Sequence, residues 1–140
     1  MEQLFIYLSV IVLGLVSVLH FYWVFGGTWG LQASLPEKVE GGSVFTPRWI
    51  ETLIVAVGLI GAAFILLAQN NLVSFFTPNS FTKWSSIVLT CIFFLRAIGD
   101  FKYIGFTKRI QNTPFSKHDT KLYTPLCLYL AIIFMTSWLF

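Results

Sequence analysis

Four long apolar runs, separated by three polar connections, make up almost the whole chain. The runs extend over about residues 4–25, 48–69, 84–106 and 121–140. Because roughly 20 apolar residues in a helix cross a hydrocarbon core about 30 Å thick, each run predicts one membrane-spanning helix. We therefore expect an all-α, four-transmembrane-helix bundle that forms a single integral membrane domain over residues 1–140.

The composition supports a membrane protein and excludes two other classes. Hydrophobic residues make up 56% of the chain and charged residues only 11%, which is unusual for a soluble domain. Cys91 and Cys127 lie inside predicted spans without CxxC spacing, which indicates small core residues rather than disulfides or a metal site. The net charge of +3 lies in connections beside the spans. It therefore points to the lipid bilayer as partner and not to nucleic acid.

Two local features of the first half refine the helix predictions. No Lys or Arg precedes the first run and no small-residue cleavage pattern follows it, so we expect a spanning helix rather than a removed signal peptide. Gly58 and Ala62 form a small-xxx-small pair in the second run. Such pairs let helix backbones approach closely in lipid, which predicts a helix contact there.

Positive charge is concentrated on one side of the predicted bundle. Connections 26–47 and 107–120 and the adjoining helix ends carry Lys38, Arg48, Lys102, Lys108, Arg109, Lys117 and Lys121. On the opposite side the only basic side chain is Lys83. The positive-inside rule then places both connections in the cytoplasm and both termini on the outer side of a multi-pass cell membrane protein. Lys102, Lys108 and Arg109 are interpreted as topology determinants and lipid-phosphate contacts.

The polar residues of the spans fall in one layer at this cytoplasmic side. The layer consists of His20, Glu51, Arg96, Asp100 and Tyr123. Arg96 is expected to lie deepest, about 13.5 Å before Gly105 if the helix continues that far. Ionisable groups gathered inside a membrane protein indicate a functional site by default.

Arg96 and Asp100 stand four residues apart and allow two interpretations. They form a local ion pair that makes a buried arginine tolerable, or Arg96 binds an anionic or carbonyl group while Asp100 orients it or acts as a base. His20 is a candidate for proton transfer, and otherwise a polar group at the interface. His20 and Asp100 are thus the candidate catalytic residues.

The candidate ligand-binding residues are Arg96, Glu51, Trp23, Trp29, Tyr103 and Tyr123. Glu51 also suits the positive end of its helix, and the tyrosines also suit the membrane interface. The connection 26–47 is either an interfacial loop or a lid over a pocket, with Trp23 and Trp29 as walls. Asp119 with Thr120 is expected to cap the fourth helix.

Three sequence blocks carry a resemblance to a known family. They are HFYW with GGTWG (residues 20–23 and 26–30), LRAIGDFKYIGF (95–106) and DTKLYTPLC (119–127). With them the chain resembles a widespread bacterial family of small four-span membrane proteins catalogued as a domain of unknown function. In the third block Thr124 stands where the family often has serine, which keeps the hydroxyl. The resemblance implies that the motifs coincide with the cytoplasmic-side layer, and it implies no activity.

The leading hypothesis is an integral membrane protein with a cytoplasm-facing polar pocket that binds a small or amphipathic ligand. Whether the protein also converts that ligand, and so whether it is an enzyme, stays open. The alternative is a structural or accessory subunit whose polar layer only locks helix packing; a transporter is less favoured because the outer half has no polar lining. No metal site is indicated. The cofactor is unknown, with haem on His20 not excluded, and the oligomeric state is open.

Overall fold

Helices form nearly all of the regular structure in the computed structural model of the protein, which describes residues 1–99 and 102–140. The long helices are α1 (Glu2–Val24), α3 (Trp49–Gln69), α4 (Ser80–Ile98) and α6 (Thr124–Leu139). Two short helices, α2 (Leu31–Ser34) and α5 (Pro114–His118), lie in the connections, and a π-helix (Asp119–Tyr123) joins α5 to α6. The predicted all-α, four-helix class is confirmed.

Within the described residues, four helical segments are long and apolar enough to cross a membrane. They are Glu2–Val24, Trp49–Gln69, Ser80–Ile98 and Pro114–Leu139. The last one joins α5, the π-helix and α6, so it begins well before the predicted residue 121. The prediction that Asp119 caps this helix at its start was wrong, because Asp119 lies within the continuous segment and is fully buried.

The third helix also differs from its predicted span of 84–106. It begins at Ser80, where the Asn79 side chain accepts hydrogen bonds from the backbone N–H groups of Phe81 and Thr82 at 2.8 and 3.2 Å. It ends at Ile98, because Gly99 follows with a φ of +88°. The chain then folds back, and Phe106 N–H donates to the Ala97 carbonyl at 2.9 Å. Arg96 therefore lies near the end of its helix rather than deep within it.

The bundle consists of two well-packed pairs, α1 with α3 and α4 with α6, and the pairs meet mainly where α3 contacts α4. In the first pair the Ser17 hydroxyl donates to the Ala56 carbonyl at 2.7 Å, and both residues are buried. The predicted contact through Gly58 was wrong in this respect: Gly58 is exposed, whereas Ala62 is buried. The core cluster comprises Ile6, Leu13, Ala62, Ile65, Leu66, Leu130 and Phe134.

Polar side chains join three helices at the end where α3 stops and α4 starts. Thr82 Oγ1 donates to Gln69 Oε1 at 2.6 Å, and Asn70 Nδ2 donates to Ser137 Oγ at 3.0 Å. These bonds link α3 to α4 and to α6. The candidate site lies at the other end of the bundle, where α1 and α4 stop.

Candidate functional site

Asp119 is the centre of a buried ionic cluster. Its side chain is 0% exposed, Oδ1 accepts a hydrogen bond from Arg96 Nη2 at 3.0 Å, and Oδ2 accepts one from Lys108 Nζ at 3.0 Å. The backbone N–H of Gly105 also donates to Oδ2 at 2.8 Å. One carboxylate thus ties together the end of α4, the returning loop and the π-helix. Because all three partners donate hydrogen bonds and two of them are also cations, the geometry offsets the cost of burying these ions.

Lys108 is the residue whose predicted role the structure changes most. It was interpreted as a surface determinant of topology, but its side chain is only 4% exposed. Besides the bond to Asp119, its Nζ donates to Thr120 Oγ1 at 2.6 Å and to the Gly105 carbonyl at 3.3 Å. All three donors of the ammonium group are therefore used within the protein. The interpretation as an exposed lipid-phosphate contact was wrong.

A π-helix places Asp119 and Tyr123 at its two ends. Short π segments inside α-helices are uncommon and are frequently found at functional sites. Here the segment carries Asp119 into the ionic cluster, while the Tyr123 hydroxyl donates to the Ala33 carbonyl at 3.0 Å and lies 3.5 Å from Ser34 Oγ. The turn thereby connects the cluster to α2 and fastens the α1–α3 connection over the bundle.

A cavity of about 610 Å³ lies between the two helix pairs at this end of the bundle. Its walls come from all four long helices and from the α1–α3 connection. Most of the lining is aliphatic or aromatic, and its polar members are His20, Ser34, Glu51, Thr52, Arg96 and Tyr123. An apolar cavity with a few convergent polar groups is the form that small-molecule sites usually take.

Arg96 reaches the cavity with part of its guanidinium group unused. Its side chain is 31% exposed, and Nη2 is occupied by Asp119. Nη1 is buried, yet it has no hydrogen-bond partner among residues 1–99 and 102–140. A buried cationic donor without an acceptor is costly. The group is therefore suited to an acceptor that enters the cavity.

His20 lines the same cavity and has a defined tautomer when neutral. Its Nδ1 lies 2.7 Å from the Val16 carbonyl oxygen, which can only accept, so Nδ1 carries the proton. Nε2 is then left with a lone pair. The ring meets Trp23 edge-on, with the centroids 4.9 Å apart. His20 is thus held in one orientation and can accept a hydrogen bond from a ligand.

Trp23 and Trp29 take different roles, although both were predicted as pocket walls. Trp23 lines the cavity, and its Nε1 donates to the Trp29 carbonyl at 2.9 Å. The Trp29 side chain is 75% exposed and is not among the cavity lining. Trp29 therefore contributes its backbone. The connection that carries it continues into a small hairpin, in which Glu37 bridges to Ser43.

The structure brings together five of the predicted site residues: His20, Trp23, Glu51, Arg96 and Tyr123 all line the one cavity. Glu51 also accepts a hydrogen bond from the Arg48 N–H at 3.0 Å, as expected for a first-turn carboxylate. Tyr103 lies outside the lining, beside the Lys102 ammonium, which is 5.1 Å from its ring centroid. Asp100, and with it the predicted Arg96–Asp100 pair, lies outside the described residues.

Sequence reasoning missed both ion pairs of the cluster, Arg96 with Asp119 and Lys108 with Asp119. Asp119 stands 23 positions away in sequence and Lys108 lies in a basic loop, so no helical spacing indicates either contact. The signal that was available is the third motif block, which begins at Asp119. The part of the chain that the structure describes also contains no group of three His, Cys, Asp or Glu side chains placed to hold a metal ion.

The fold and the site define a protein with four helices long and apolar enough to span a membrane and with a cavity between them next to a buried ion cluster. Residues 13–134, most of the chain, match a family model described as Protein of unknown function (DUF3995), and the protein belongs to this family. Neither the curated proteins nor the solved structures contain a match to the chain. The family membership agrees with the resemblance carried by the three sequence blocks.

Proposed function

We propose that the protein binds an amphipathic ligand in the cavity between its helix pairs, with the polar end of the ligand at Arg96. The observation that carries the proposal is that Arg96 lines an apolar cavity of about 610 Å³ while its buried Nη1 has no acceptor among the described residues. The volume falls within the range of roughly 300–1,000 Å³ that is typical of ligand pockets. The apolar walls favour a hydrocarbon chain or ring, and His20 offers a second polar contact.

The ionic cluster by itself favours the alternative, a structural role. Asp119 and Lys108 are fully satisfied by their neighbours, as in a device that fixes the end of α4 against the last helix. What this alternative leaves unexplained is the cavity and the lack of an acceptor, among the described residues, for Nη1 of the cavity-lining Arg96. A purely structural cluster would also be expected to close the gap between the helix pairs.

Filling the cavity tests the proposal. Val16 on α1 lines the cavity, whereas Val18 on the same helix is 66% exposed on the outside. We expect Val16→Trp to occupy the cavity and to abolish retention of a copurifying amphiphile, and Val18→Trp to leave retention unchanged. Native mass spectrometry of the detergent-purified proteins, followed by extraction and identification of the bound molecule, measures both. Equal retention by the two variants would exclude this cavity as the binding site.

We also propose that the cavity lies at the cytoplasmic side of a cell membrane, since the connections that border it carry most of the basic residues. Lys117 and Lys83 are both exposed and stand at opposite ends of the bundle. We expect a cysteine at position 83 to react with a membrane-impermeant maleimide in intact cells, and one at position 117 to react only after lysis. The wild-type protein, with Cys91 and Cys127, supplies the background. The reverse labelling pattern would invert the topology.

A further inference from the structure

We infer that the ligand is a single-chain aliphatic acid whose carboxylate binds Nη1 of Arg96. This inference rests on the proposed binding function and narrows it to one chemical class. Three independent properties of the site support it: the geometry of the Arg96 guanidinium group, the charge of the ionic cluster, and the shape and polarity of the cavity.

Arg96 lines the cavity, with one terminal nitrogen of its guanidinium group bound to the protein and the other without an acceptor among the described residues. Asp119 occupies Nη2 at 3.0 Å and so fixes the plane of the group. Nη1 is buried and has no acceptor within the described part of the chain. A guanidinium N–H bonds most strongly to an ionised oxygen. An oxyanion therefore satisfies this nitrogen better than a hydroxyl or a carbonyl group does.

The charge of the cluster favours a single negative charge. Arg96 and Lys108 share the one carboxylate of Asp119, so these three residues together retain one positive charge. Arg96 is the only Lys or Arg among the described residues that line the cavity. The Glu51 carboxylate in the same lining accepts the Arg48 N–H at 3.0 Å at the positive end of α3, which balances its charge in part. A monoanion balances the cluster. A phosphate dianion would bring an excess charge into a site of low polarity, where uncompensated charge is costly.

The cavity accommodates one hydrocarbon chain. Its walls continue from the polar groups at Arg96 and His20 to Leu13 and Leu130, which belong to the core cluster of the bundle. Aliphatic side chains of α1, the π-helix and α6 supply much of this surface, namely Val12, Leu13, Val16, Leu122, Leu126 and Leu130. A cavity of about 610 Å³ suits a single chain in volume and is small for a two-chain phospholipid.

The test compares three probes that have hydrocarbon chains of the same length and differ in the polar group: palmitic acid, its methyl ester and hexadecyl phosphate. Dissociation constants are measured by titration calorimetry in a nonionic detergent, at a pH where the carboxyl group is ionised. We expect the wild type to bind the acid more tightly than the ester or the phosphate. Arg96→Met should weaken binding of the acid about tenfold to a hundredfold, the loss of one charge-assisted hydrogen bond, and should leave binding of the ester unchanged.

Lys83→Met is the matched control, because it removes an exposed cation from the same helix and should change neither affinity. The ester controls for folding, since a misfolded variant loses both ligands. If Arg96→Met does not fold, Arg96→Lys replaces it, and it should retain a reduced preference for the acid. A folded Arg96→Met variant that keeps ester binding and binds the acid as tightly as the wild type would overturn the inference.

The outcomes separate this inference from the binding function on which it rests. Equal binding of acid and ester by the wild type, with both abolished by Val16→Trp, would overturn the inference that a carboxylate is recognised. The cavity would still be a binding site. Tighter binding of hexadecyl phosphate than of the acid would assign the anion to a phosphate headgroup and overturn the fatty-acid class. If the wild type binds none of the three probes, the acid is excluded, and retention of a native amphiphile then decides the binding function alone.

Discussion

Asp119→Ala is expected to lower the free energy of unfolding by about 3–5 kcal/mol, the cost of removing one partner from a buried ion pair. The effect is large because the carboxylate is 0% exposed and serves Arg96, Lys108 and the backbone of Gly105 together. Without it a buried ammonium group loses its counter-ion. The measurement is equilibrium unfolding of the purified protein in mixed micelles, monitored by loss of helical circular dichroism.

Two further variants define the origin of that loss. Glu40→Ala removes an exposed carboxylate and should change the free energy of unfolding by no more than about 0.5 kcal/mol. Adding Lys108→Met to Asp119→Ala removes the stranded ammonium group, so the double variant should recover part of the loss through a coupling of about 0.5–3 kcal/mol. A decrease below 1 kcal/mol for Asp119→Ala, or strictly additive effects, would contradict the buried cluster.

Gly105→Ala is expected to be the second strongly destabilising change. Gly105 has a φ of +83°, which alone makes a side chain cost about 1–3 kcal/mol. A Cβ at this position would also overlap the carbonyl groups of Ile98 and Ala97, the latter at 2.6 Å from its oxygen. The end of α4 and the returning loop would have to separate, which would also displace the N–H that bonds to Asp119.

Gly41→Ala separates conformation from overlap, because Gly41 has a φ of +96° but open space around it. It should show only the conformational cost, so Gly105→Ala should lower the free energy of unfolding by clearly more. Both are measured in the same mixed-micelle unfolding experiment. Equal effects of the two substitutions would mean that the loop does not pack against the end of α4 as described.

The four spans could be predicted because each is a long apolar run. A helix that faces lipid is recognised from its own composition, without knowledge of which other helix it contacts. The end of α4 could not. Apolar residues recur up to Phe106, with only Asp100 and Lys102 charged after Arg96, so the pattern extends the helix, whereas Gly99 and Gly105 have positive φ and the chain reverses. The reversal depends on a bond from Gly105 to Asp119, which only the folded bundle supplies.

The residues of the polar layer were predicted more completely than the contacts that they make. Membrane depth, estimated from positions within the runs, placed His20, Glu51, Arg96 and Tyr123 at one level, and the structure brings them to one cavity. The partner of Arg96 could not be derived, because helical spacing shows only neighbours three or four residues apart. The interpretation of Lys108 was wrong because a basic loop residue is usually solvated, whereas here Lys108 is buried and forms an ion pair with Asp119.

The cavity itself could not be predicted from the sequence. It exists because α1 packs on α3 and α6 packs on α4, while the two pairs separate near Arg96 and the α1–α3 connection covers part of the gap. Apolar lining residues have the same composition as lipid-facing ones, so the pattern does not distinguish a pocket wall from the outer surface. The sequence likewise does not show that Trp23 lines the cavity whereas Trp29 is exposed, because this depends on how the α1–α3 connection folds.

The central claim, that the cavity beside Arg96 binds an amphiphile, is tested most directly by a density map of the wild-type protein purified without added ligand. We expect an elongated density between α1 and α6 whose polar end lies within hydrogen-bonding distance of Nη1 of Arg96. A map in which the helix pairs close together without a cavity, or in which a protein side chain occupies that nitrogen, would contradict the claim.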